Sequence, residues 1–203
     1  MITECVEAAL VELYAEVGGP ASGAALAAVG SLARRELGPR SDIDLVLLHN
    51  GKASTKINTL ANDLWYPLWD ARIRVDHSVR TPAECAEVAG QELSAGVGLL
   101  DLRVISGDAD LVKGARTALL DTWRSNARKR LPELLTSLDE RLATFGDAAY
   151  LLEPDLKEAR GGFRDVSMLR ALAASWLTDR PHVGISEPYE RLLDVRDALH
   201  LAS

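Results

Sequence analysis

The sequence predicts an α+β protein, in which a front half of short strands and helices is followed by a back half that is almost entirely helical. Three observations carry this reading. Two apolar runs, GAALAAVG and DIDLVLLH, have the composition of buried strands and flank a segment long enough for only a short helix. The segment ARIRVDHSVRT alternates, with Ile73, Val75, His77 and Val79 on one face and Arg72, Arg74, Asp76, Ser78 and Arg80 on the other. From Asp108 onward, apolar residues recur at helical spacing. These patterns divide the chain into an α+β domain over residues 1–110 and a helical domain over residues 111–203.

Taken in order, Val6, Leu10, Leu13 and Val17 are spaced for a helix over residues 2–17, which Gly18-Gly19-Pro20 ends. GAALAAVG follows as a strand, SLARREL as two helical turns closed by Gly38-Pro39, and DIDLVLLH as a second strand. After the Asn50-Gly51 turn, ASTKINTLANDLWYPLW is expected to be helical up to the residue before Pro67. The alternating segment is a third strand. Thr81-Pro82-Ala83-Glu84 then has the form of a capping box with proline at the first helical position. DLRVIS supplies a further strand, and Gly107-Asp108 opens the long helical stretch that ends at Phe145. Helices over VSMLRALAASWLTD and EPYERLLDVRDALHLAS follow, separated from it by LLEPDLKEARGGFRD.

Composition narrows the classes of function. A formal net charge of −7 argues against a chain that grips a nucleic-acid backbone. No apolar run approaches the ~20 residues of a membrane span. Cys5 and Cys85 are far apart and lack CxxC spacing, which predicts a cytoplasmic protein without a disulfide framework or zinc site. The histidines His49, His77, His182 and His200 show no metal-ligand spacing either.

The chemistry centres on AVGSLARRELGPRSDIDLVLLH. On a strand, Asp42 and Asp44 share a face, and two neighbouring carboxylates repel unless an arginine or a divalent cation lies between them. A hard cation such as Mg²⁺ takes oxygen ligands and shares them with substrate phosphates, so a phosphate-bearing partner is expected. Gly30 at the strand-to-helix junction lets a ligand approach the backbone, and Ser31 adds a hydroxyl suited to a triphosphate. Asp76 is the candidate third carboxylate, with Asp70 in reserve. The competing reading pairs Asp76 with Arg72, Arg74 or Arg80. Arg34 is a candidate nucleotide contact on the short helix, against plain surface solvation.

This order of elements, GS, a short helix, then DxD heading an apolar strand, resembles the nucleotidyltransferase superfamily that includes DNA polymerase β. The resemblance implies a mixed sheet flanked by helices, a phosphate-binding corner at Gly30 and Ser31, and metal-binding aspartates at Asp42 and Asp44, with Asp76 standing where a third carboxylate is often found. More narrowly, LWDARIRVDHSVRTPAEC, LLEPDLKEARGGFRDVSMLRAL and RLLDVRDALHLAS, from about Ala24 to the end, resemble the N-terminal part of the bacterial PII uridylyltransferase/uridylyl-removing enzyme family. Two departures stand out: GSLAR replaces the family's usual GGYGR, and glycine is common where Asp76 stands.

What the family implies is Mg²⁺-dependent transfer of UMP or AMP from UTP or ATP to a tyrosine hydroxyl of a PII signalling protein, releasing pyrophosphate. In LLEPDLKEARGGFRD, Lys157 and Arg164 are the expected cations for the triphosphate, Asp165 the expected cap of the next helix, and mutual pairing of the loop's charges the alternative. Family members continue into an HD hydrolase and two ACT domains, so a fragment ending at Ser203 inside a helix is expected. Transfer to glutamine synthetase or to a small molecule, and a non-catalytic nucleotide-sensing domain, are the other functional readings.

Overall fold

The centre of the front half is β1 (Ala24–Ala28), four alanines and a leucine buried on both faces. In the computed structural model, which describes residues 2–52, 54–179 and 184–202, β1 pairs antiparallel with β2 (Ile43–His49) and with β4 (Arg103–Gly107). β2 pairs in parallel with β3 (Val75–Arg80), so the order is β3-β2-β1-β4 and β3 is an edge strand. The sheet is mixed and flanked by helices. His182 and Ser203 lie outside the described residues.

Alternation sends the two sets of side chains to different helical layers. Leu26, Leu45 and Leu47 pack with Leu10 and Tyr14 of α1 (Ile2–Glu16) and with Leu64, Trp65 and Leu68 of α3 (Ser54–Asp70). Ala25, Ala27, Val46 and Leu48 pack with Cys85 of α4 (Pro82–Gln91), Leu99 of α5 (Leu93–Leu99), and Val112, Ala115 and Leu119 of α6 (Ala109–Phe145). Because its first turns lie on the sheet, α6 belongs to both compact units of the chain, Met1–Leu119 and Leu120–Ser203. Asp108 starts that helix: its carboxylate accepts from Leu111 N–H at 3.0 Å and Gly23 N–H at 2.8 Å.

Several local expectations needed correction. SLARREL yields a single turn, α2 (Gly30–Ala33), because Arg35 takes the left-handed conformation at φ 62° and Glu36 N–H closes the turn onto the Ser31 carbonyl at 2.8 Å. α3 continues through Pro67 to Asp70, since the apolar stripe of Leu60, Leu64 and Leu68 runs past the proline and its burial outweighs one lost backbone bond. It ends at Asp70; Arg72 beyond it takes φ 57° and Ile73 N–H bonds to the Leu68 carbonyl, so β3 starts only at Val75. α5 was not expected from its glycine-rich sequence. It is held by burial of Leu93, Val97 and Leu99.

In the second unit, Trp123 and Arg124 of α6 donate to the Ala171 and Ala174 carbonyls at 2.8 and 3.1 Å, closing the end of α7 (Phe163–Ala174). A 3₁₀ turn (Ala148–Tyr150) and the loop 151–162 precede α7, and α8 (Ser186–Ala202) follows it. The cap of α7 is Gly162, not Asp165, which sits in the first turn and accepts from Gly161 N–H at 2.8 Å and from Arg141.

Candidate functional site

The site is built where β1 turns into α2. Val29 N–H donates to the Asp44 carbonyl at 3.1 Å, so the end of β1 is tied to the start of β2. Gly30 follows at φ 58°, and a Cβ placed there would lie 2.5 Å from Asp44 Oδ2. Glycine is required by conformation and by space, and its absent side chain lets the Asp44 carboxylate rest against the first turn of α2. Half-buried Ser31 comes next along that turn.

The other end of α2 is fixed by Arg103 of β4, which donates to the Leu32 and Ala33 carbonyls, each at 2.8 Å, and pairs with Glu7 of α1. Arg34 is held between Glu36 at 2.7 Å and Asp101 at 2.6 Å. Burial works against its charge, but the bonds to these two carboxylates outweigh that effect and hold its pKa above the ordinary arginine value. Arg34, expected as a nucleotide contact, is engaged here with these two protein carboxylates.

Asp44 and Asp76 are register partners in the parallel β2–β3 ladder. Paired residues of adjacent strands project to one face about 4.8 Å apart. Asp44 is half-buried and Asp76 exposed. Asp42 lies one residue before β2, where the Arg74 Nε–H donates to its Oδ1 at 2.9 Å. Arg74 thus neutralises Asp42 and not Asp76, and both partners are largely exposed, at 67% and 59%. An ion pair this wet is worth at most about 1 kcal/mol and exchanges readily. Asp70 ends α3, away from the β2–β3 register.

Among the described residues, no group of three or more His, Cys, Asp or Glu side chains is gathered tightly enough to hold a metal by itself. The donor set still fits Mg²⁺, which is commonly bound by one or two carboxylates, with substrate phosphates and waters as the remaining ligands. An in-register pair of hard oxygen donors beside a side-chain-free turn could serve as such a half-site.

Lys157 and Arg164 belong to the second unit. Lys157 is exposed, whereas Arg164 pairs with Glu158 at 3.0 Å. The Asp155 carboxylate accepts from the N–H groups of Lys157 and Glu158 at 2.8 and 2.9 Å. A Cβ on Gly162 would lie 2.5 Å from the Leu156 carbonyl. Much of the EPDLKEARGGFRD pattern is accounted for by closure of the loop on itself. Arg103, the first residue of β4, was missed as a support of α2, and Arg74, just before β3, was read only as a partner for Asp76 and pairs instead with Asp42.

A parallel strand pair carrying two aspartates, packed against a glycine corner, defines the chain's class: residues 12–98 match the nucleotidyltransferase domain family. Residues 129–203 match the family described as GlnD PII-uridylyltransferase. The chain is 51% identical over its whole length to the bifunctional uridylyltransferase/uridylyl-removing enzyme of Streptomyces coelicolor, covering 24% of that protein. Over 97% of its length it is 43% identical to the enzyme of that name from Mycobacterium tuberculosis, covering 26% of it, and over 87% of its length it is 33% identical to that from Vibrio campbellii, covering 22%. It belongs to this uridylyltransferase family, as the N-terminal nucleotidyltransferase part, and spans about a quarter of the length of these curated relatives.

Proposed function

We propose that the chain catalyses transfer of UMP from UTP to a tyrosine hydroxyl of a PII protein, releasing pyrophosphate. The observation that carries the reading is the Asp44–Asp76 register pair, with Asp44 packed against the side-chain-free Gly30. The uridylyltransferase names of the relatives supply the donor, and the family description supplies PII as acceptor.

Asp44 and Asp76 would hold Mg²⁺, with Asp42 joining them once it leaves Arg74; the bound ion supplies charge neutralisation at the triphosphate. The backbone of Gly30 and the hydroxyl of Ser31 receive phosphate oxygens. The phenol oxygen attacks the α-phosphorus, the bond from that phosphorus to the β-phosphate oxygen breaks, and the phenolic proton passes to a site carboxylate. Catalysis is mainly positioning and neutralisation of charge.

Incubation with a PII protein, Mg²⁺ and each of the four ribonucleoside triphosphates, followed by intact mass, tests this. A UMP adduct on PII with UTP alone is expected. An AMP adduct, or labelling of glutamine synthetase in place of PII, would overturn the assignment of donor or acceptor.

A further inference from the structure

Beyond Asp76, the same face of β3 carries Ser78 and Arg80, register partners of Val46 and Leu48. Both are half-buried. Val46 and Leu48 are almost fully buried beneath the helical layer that includes Cys85, so the row skirts the edge of that layer. Among the described residues, the Ser78 hydroxyl has no hydrogen-bond partner and the Arg80 guanidinium has no ion pair or hydrogen bond. Arg80 acts on Glu84 and Cys85 only as a nearby charge. The Glu84 carboxylate is instead bonded to the Thr81 N–H and hydroxyl, at 2.6 and 2.9 Å.

Neither side chain is among the buried polar atoms left without a partner, so the donors of Ser78 and Arg80 reach solvent and are free to meet a ligand without breaking a bond to the protein. The spacing says which. Two strand residues advance about 6.6 Å and four about 13 Å. With phosphates at Asp44 and Asp76, the first step reaches a ribose. The second, shortened by the length of an arginine side chain, reaches a base.

We infer that the Ser78–Arg80 row of β3 is the nucleoside end of the donor site, with Ser78 bonding a ribose hydroxyl and Arg80 donating to a base carbonyl. This rests on the placement of the triphosphate proposed above. Arginine has donors and no acceptor, so Arg80 favours the carbonyl O4 of uracil and offers nothing to the amino group that adenine or cytosine presents instead. The row thereby disfavours adenine and cytosine, while guanine, whose O6 also accepts from arginine, is not rejected by this contact.

Calorimetric titration of the chain with UTP, 2′,3′-dideoxy-UTP, CTP and ATP in the presence of Mg²⁺ tests the inference without requiring turnover. Ser78→Ala is expected to weaken UTP binding about fivefold, the worth of one neutral hydrogen bond, and to leave dideoxy-UTP binding unchanged. Arg80→Gln is expected to lose most of the preference for UTP over CTP and ATP. Thermal unfolding of both variants should match that of the wild type, since neither side chain bonds to a described residue. The inference is overturned if the wild type binds UTP and both variants bind all four nucleotides as it does. Failure of the wild type to bind any triphosphate overturns the proposed function as well, so the two failures are distinguishable.

Discussion

The aspartates act as ligands only if their charge, and not their shape alone, is needed at the α-phosphate. Asp44→Asn keeps the shape, the strand and the contact with Gly30, and removes one anion. Losing one well-placed metal ligand typically removes about 4 kcal/mol of transition-state stabilisation, roughly a thousandfold in rate. We expect that loss in labelled-UTP transfer, with thermal stability in the absence of metal unchanged or slightly raised as repulsion from Asp76 is relieved. Near wild-type turnover would remove Asp44 from the site. Asp76→Ala separates the two readings of that residue: a ligand loses turnover at constant stability, and a mere ion-pair partner does the reverse. The apolar run after DxD made the strand that carries Asp44 legible, whereas Asp42, expected on the same strand face, lies one residue before β2, where the two-residue period does not fix its direction. The Arg74–Asp42 pair was not legible, since alternation alone sets Arg74 beside Asp76 just as well.

At the scale of elements, signals that bind the backbone directly were read well and those that depend on packing were not. The capping box is as expected: Glu84 N–H donates to the Thr81 hydroxyl at 3.2 Å and the Glu84 carboxylate returns to Thr81 N–H. α3 passes through Pro67 because buried leucines lie on both sides of it, a tertiary fact that the local rule for proline does not contain. The Gly161-Gly162 pair gives a sharper test, because the two glycines are required for different reasons. Gly161 has φ 88° and open space where its Cβ would lie, whereas a Cβ on Gly162 would meet the Leu156 and Ala159 carbonyls at 2.5 and 2.8 Å. Gly161→Ala should therefore cost about 1 kcal/mol of left-handed strain, while Gly162→Ala should cost at least about 2 kcal/mol because backbone must move. Urea unfolding of the two variants side by side checks the order. Equal costs would mean that the loop does not close as tightly as these contacts require.

At the scale of the whole molecule, stability should fall away on both sides of neutrality, through different groups. On the acid side, the N–H groups of Gly23 and Leu111 hold the Asp108 carboxyl below the usual carboxylate range, and the Thr81 N–H and hydroxyl do the same for Glu84. A lowered folded-state pKa favours the native state above the unfolded value near 4, and that contribution is lost as pH falls through the folded pKa. On the alkaline side, burial and then the charge of Asp108 push the Tyr14 phenol up to about 12, while its hydroxyl donates towards the Pro20 and Ala24 carbonyls, 3.1 Å from each. Burial pushes the Cys85 thiol up to about 11. For both, the raised pKa favours the native state below the unfolded values, about 10 for tyrosine and 8.5 for cysteine, and the contribution is lost as pH climbs through the folded ones. Denaturant midpoints should therefore hold steady from about pH 6 to 8 and decline between roughly pH 9 and 12. Tyr14→Phe is the control: it gives up the bonds to Pro20 and Ala24 and is less stable at pH 7, yet its alkaline decline is shallower because only Cys85 still resists ionisation. A variant declining as steeply as the wild type above pH 10 would mean that Tyr14, which joins α1 to the start of β1, does not couple the core of the first unit to pH.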